Sequence, residues 1–99
     1  MMIIRKGRNR ENRGKLKSFY DLPEYAQNNF IKIKNELKMN TYVFGSFYWG
    51  FWDEQSDYDV FTDVLIEKQL ELEDKFKEKY NLNVNIMVPT NITDKILVP

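Results

Sequence analysis

The 99-residue chain has no cysteine and no histidine. The first absence excludes a disulfide framework and any thiolate zinc site. The second excludes imidazole acid–base chemistry and most transition-metal centres. A metal here would be held by oxygen, which points to Mg²⁺ or Mn²⁺ first. No apolar run approaches the roughly 20 residues that a membrane span requires. The opening Met-Met-Ile-Ile-Arg-Lys lacks the apolar core of a signal peptide. A cytoplasmic protein without membrane contact is expected, in a bacterial or phage-infected cell, with the virion as the other setting.

Arginine is scarce and confined. All four (Arg5, Arg8, Arg10, Arg13) fall within the first 13 residues. With Lys6, Lys15 and Lys17 against Glu11, residues 1–17 hold seven positive charges and one negative, a net of +6. The whole chain balances 15 basic against 15 acidic side chains, so the rest carries −6. Residues 1–18 read as a basic arm, extended until something binds it. Nucleic acid would meet residues 5–17, and an acidic protein surface or plain solvent are the competing readings. Residues 19–99 read as a single domain.

Periodicity supplies the elements. Residues 22–39 read as a helix with Asp21 as N-cap and Ala26, Phe30, Ile33 and Leu37 on one stripe. Residues 41–44 form a short strand, 47–52 a single helical turn, and 58–62 a second strand. Residues 65–80 read as a helix with Leu65, Leu72, Phe76 and Tyr80 inward and Ile66 and Leu70 beside them. Glu67, Glu71, Lys75 and Lys79 then fit a solvated face paired at i,i+4. Asn81 stops that helix, residues 83–88 alternate as a third strand, and one more turn is expected after Thr93. This order predicts an α/β (α+β) fold with a small mixed sheet and helices packed on one face.

Chemistry concentrates between residues 43 and 60. Gly45 and Ser46 follow a strand, where glycine permits a tight turn and close backbone approach. Asp57 and Asp59, at i and i+2 on a strand, point to one side and repel unless a cation joins them. Oxygen-rich pairs of this kind suit Mg²⁺ completed by substrate phosphates. A solvent-facing strand carrying two acids is the plainer reading of that pair.

The stretch Val43-Phe44-Gly45-Ser46, ten residues, then Asp57-Tyr58-Asp59-Val60 resembles the polymerase-β-like nucleotidyltransferases, in particular their minimal bacterial members. Gly50 falls where that family often has a second glycine, and Ser56-Asp57 matches the Ser-Asp that opens its carboxylate strand. The resemblance spans roughly residues 22–90. It implies a nucleotidyltransferase fold, with Gly45, Ser46 and Ser56 at a nucleoside triphosphate and Asp57 and Asp59 catalytic and holding Mg²⁺. A nucleoside monophosphate would pass to a protein or small-molecule acceptor, with pyrophosphate released. It also implies a helical HEPN-like toxin as partner, in a toxin–antitoxin pair.

Two positions depart from the family pattern. Phe47 and Trp49 stand where arginines often meet phosphates, so basic help would come from a lysine or from the arm folding back. Asn85 aligns with the usual third carboxylate. An amide oxygen ligates Mg²⁺ weakly and takes no proton at neutral pH. Asp63 and Asp53 are the candidates to compensate.

Eight aromatics (Phe44, Phe47, Tyr48, Trp49, Phe51, Trp52, Tyr58, Phe61) fall within 18 residues. They read as core, as a protein interface or as a nucleobase contact. The alternative function follows: a catalytically degenerate domain that docks through its aromatic patch and basic arm in a larger assembly, such as a phage particle.

Overall fold

Residues 13–64, 66–87 and 93–99 are described by the computed structural model of the chain. Arg5, Arg8, Arg10 and most of the segment expected to meet nucleic acid lie outside them, as do Leu65 and residues 88–92.

Pro23 decides where the first helix starts. A proline pushes the preceding residue out of the helical region, and Leu22 is extended (φ −70°, ψ 150°). Helix α1 therefore runs Glu24–Leu37 with Pro23 at its N-cap, not from an Asp21 cap. Asp21 instead closes a single 3-10 turn, Phe19–Asp21, by accepting from the Ser18 N–H at 3.0 Å. At the other end Lys38 turns left-handed (φ 59°) and stops α1. Ala26, Phe30, Ile33 and Leu37 are its buried stripe, as the spacing predicts.

Four strands form one mixed sheet in the order β3-β2-β1-β4: β1 Thr41–Val43, β2 Tyr58–Thr62, β3 Val84–Met87 and β4 Ile96–Leu97. β1 runs antiparallel to β2 and β4, and β3 runs parallel to β2. A parallel pair needs a crossover, and helix α3, Gln69–Tyr80, provides it. The registers Val43↔Val60↔Ile86 and Tyr58↔Val84 place those side chains on one face. Tyr42, Asp59, Phe61, Asn85 and Met87 alternate onto the other. The inner face joins Phe30 and Ile33 of α1, Phe76 of α3, Phe47 and Val98 in one core. Each such side chain contributes roughly 1.5–3 kcal/mol through burial. The expected α+β fold, a small mixed sheet with helices on one face, is what forms.

Three local expectations are corrected. The tail carries β4 rather than a helical turn. Ile96-Leu97-Val98 is a strand-forming run that covers the open edge of β1, and Val98 N–H donates to Thr41 O at 2.8 Å. Helix α3 begins at Gln69, and Leu70 is 75% exposed. Its inward stripe is the narrow i,i+4 series Leu72, Phe76, Tyr80, and a residue two before Leu72 points away from it. Lys75 and Lys79 pair across to Glu36 of α1, at 3.1 and 2.8 Å, rather than with the acids of their own helix.

The aromatic run divides. Phe47, Tyr48, Tyr58 and Phe61 are buried, whereas Trp49 and Phe51 are exposed. Phe47 stacks on Tyr58 (5.0 Å) and Trp52 (5.5 Å) and meets Phe30 edge-on (5.3 Å). Stacked and edge-to-face contacts together let these rings pack against one another.

Candidate functional site

Strand β1 ends at Val43, and the chain turns at Gly45 (φ 71°, ψ −146°) into the short helix α2, Ser46–Trp49. Gly50 (φ 85°) ends α2 in the left-handed region. Across from this turn, the Phe44 N–H donates to Asp59 O at 3.3 Å. A Cβ on Gly45 would overlap the Asp59 carboxylate. Glycine is thus required twice here, for its backbone conformation and for the closeness of the acid.

Asp57 stands just before β2 and Asp59 within it. Both reach one donor on the neighbouring strand. Asn85 Nδ2 donates to Asp59 Oδ1 at 3.0 Å and to Asp57 Oδ2 at 3.3 Å. Two carboxylates served by one amide group lie on the same side of the backbone, as the i,i+2 spacing predicts. The register Asp59↔Asn85 makes this a cross-strand contact. Partial burial pushes the Asp59 carboxyl above its ordinary range, the Asn85 hydrogen bond opposes this, and the neighbouring Asp57 charge adds to it.

Gly45, Asp57, Asp59 and Asn85 are therefore brought together, with Ser46 next along the chain. Ser56 plays a different part. It is buried, its Oγ accepts from the Asp53 N–H at 2.8 Å, and it donates back to Asp53 Oδ1 at 3.3 Å. Gln55 N–H also donates to Asp53 Oδ1, at 2.8 Å. Ser56 and Asp53 thus fasten the loop that delivers Asp57. Asp63 lies at the far end of β2 and accepts from Asn40 Nδ2 (3.1 Å) and Tyr42 OH (3.3 Å). Asp53 and Asp63 thus serve the loop before β2 and the strand's far end.

Lys77 was not singled out from the sequence. It lines a shallow groove of about 290 Å³ with Asp57, Asn83, Asn85, Glu73 and Asp74. The i,i+4 spacing of Glu73 and Lys77 on α3 was its available signal. Glu73 also accepts from Ile86 N–H at 2.8 Å, and Gln69 Nε2 donates to Ile86 O, so α3 covers the outer edge of β3 there.

Among the described residues no three His, Cys, Asp or Glu side chains gather as a metal site. Two carboxylates still suit Mg²⁺ that arrives with substrate phosphates, because Mg²⁺ is commonly held by one or two carboxylates, phosphates and water. Asn85 turns its amide nitrogen toward both acids, so it bridges them rather than adding an acceptor. No helix among the described residues is long and apolar enough to cross a membrane. No protein-family model, curated protein or solved structure matches the chain.

Proposed function

We propose that the chain binds an Mg²⁺–nucleoside triphosphate and transfers its nucleoside monophosphate to an acceptor hydroxyl on a protein or small molecule. The observation that carries this reading is the meeting of Asp57 and Asp59, side by side, with the bare backbone of Gly45. Asp57 and Asp59 would hold Mg²⁺, which supplies charge neutralisation at the phosphates and a Lewis acid at the α-phosphorus. Gly45 lets the Asp59 carboxylate lie against the turn, and Lys77 would add positive charge in the adjoining groove.

In the transfer the acceptor oxygen bonds to the α-phosphorus. The bond from that phosphorus to the bridging oxygen of the β-phosphate breaks, and pyrophosphate leaves. The acceptor proton passes to solvent, since Asn85 cannot take it. Lack of a positioned base slows such a reaction by roughly 10²–10⁴. Slow transfer is therefore expected.

The Asn85 bridge also favours a second reading. An amide that joins the two acids without a cation suits a domain that kept the site's shape and serves as a binding module.

Incubation with Mg²⁺ and α-labelled nucleoside triphosphates separates these readings. The first expects label transfer with pyrophosphate release, and a raised unfolding temperature with Mg²⁺–nucleotide. Asp57→Ala/Asp59→Ala should abolish both. Transfer and thermal shift no larger in the wild type than in that variant would reject the first reading.

A further inference from the structure

The described end of the basic segment builds a second surface. Arg13-Gly14-Lys15-Leu16-Lys17 lies along the end of α2. Arg13 N–H donates to Gly50 O at 3.0 Å and Leu16 N–H to Tyr48 O at 2.7 Å. Any Cβ on Gly50 would overlap the Gly14 backbone, so this close approach depends on glycine. Leu16 packs against the core, while Lys15 and Lys17 are exposed.

Cations and rings then alternate in space. The Arg13 guanidinium lies 4.0 Å above the Trp52 ring and donates to Trp52 O at 2.6 Å. Lys15 Nζ stands 5.7 Å from the Tyr48 ring and 6.0 Å from that of Trp49, with Asp94 3.9 Å away. A cleft of about 200 Å³ runs among Arg13, Lys15, Lys17, Phe47, Gly50 and Trp52, with Asp21 on its rim. Among the described residues, the exposed large aromatics are Tyr20, Trp49 and Phe51, in the two segments that line this cleft, and Tyr25 of α1, whose ring meets that of Trp52 edge-on at 6.5 Å. The exposed large aliphatics, Val64, Leu70, Met87 and Leu97, belong to other segments.

An apolar protein partner would leave the row of cations unmatched, and an acidic one would leave the rings unused. A single-stranded polyanion with a base at every repeat uses both. We propose that this surface binds single-stranded nucleic acid, with phosphates along Arg13, Lys15 and Lys17 and bases stacked on Trp49 and Phe51. The proposal is independent of the carboxylate site.

The test is fluorescence anisotropy of a labelled oligothymidylate or oligouridylate of about 20 nucleotides with the full chain. EDTA is present, so that Mg²⁺-dependent nucleotide binding contributes nothing. Binding should weaken with salt with a log–log slope of about −2 or steeper, roughly 0.7 for each of three phosphates. Lys15→Glu/Lys17→Glu should weaken it at least tenfold and make the slope shallower by about 1.4. Trp49→Ala should weaken it about tenfold with the slope unchanged, as expected for a lost stacking contact. No binding at about 50 mM salt would overturn the proposal. So would wild-type affinity in either variant, tighter binding of a blunt duplex, or displacement by polyglutamate at equal charge, the last pointing to an acidic protein instead.

Discussion

Two clusters built on acids, one around Glu36 and one around Asp57 and Asp59, are treated in opposite ways. Glu36 on α1 is met by Lys79 at 2.8 Å, Lys75 at 3.1 Å and the Tyr80 hydroxyl at 2.9 Å. Those three hydrogen bonds, in that order led by Lys79, hold its carboxyl down at about 2. Asp57 and Asp59 face each other with one neutral amide between them, and Asp59 is pushed up. The first fastens α1 to α3 and leaves no negative charge unmatched. The second leaves two negative charges for a ligand to neutralise. Acids kept unbalanced beside a glycine turn mark a functional candidate more strongly than acids that are paired.

Gly45 is where the contrast breaks most severely. Gly45→Ala forces a side chain into a backbone conformation (φ 71°, ψ −146°) almost reserved for glycine and against the Asp59 carboxylate. A loss of about 3 kcal/mol is expected from strain and overlap, measured as a lower urea midpoint with unchanged slope. An alanine as stable as the wild type would mean that the turn relaxes away from Asp59.

Asn85→Asp sharpens the contrast at the next scale. It replaces the shared donor by a third carboxylate 3.0–3.3 Å from the other two. Without metal this should lose about 2 kcal/mol, or roughly 10 °C in unfolding temperature for a chain of this size. Millimolar Mn²⁺ should restore most of the loss by binding the folded form. Loss in EDTA without recovery in Mn²⁺ would show that the three side chains cannot share one ion.

The sequence made the carboxylate side of this contrast legible and the paired side hardly at all. Asp57 and Asp59 could be placed together because a strand has a period of two. Asn85 could be placed beside them only through the resemblance, which sets an acid on the strand after the long helix. Lys75 and Lys79 looked like partners for Glu67 and Glu71 because i,i+4 spacing is visible in a chain, whereas the approach of α1 is not. Ser56 looked like a phosphate contact, but its hydroxyl fastens the Asp53 loop, a local use of serine that competes with any ligand. Ile96–Leu97 fell in a tail that read as one more turn, not as a strand. Only the exposed edge of β1 made it one.

The smallest effect tests the contrast through pH. Glu36 has a lowered folded value, so its contribution is whole above 4.5 and is lost as pH falls toward about 2. Asp59 has a raised value, so its contribution is whole below its ordinary 3.8 and is lost as pH rises through the folded value. The slopes are opposite in sign. Glu36→Gln should therefore flatten the acid limb of a stability–pH curve measured by urea unfolding between about pH 2 and 5. Asp59→Asn should instead raise stability at neutral pH, by roughly half a kcal/mol on the scale of a partly exposed charge pair. That gain should vanish in acid, where the wild-type carboxyl is protonated. If Asp59→Asn destabilised the fold at neutral pH, Asp59 would be serving the structure as Glu36 does, and the two clusters would no longer be opposites.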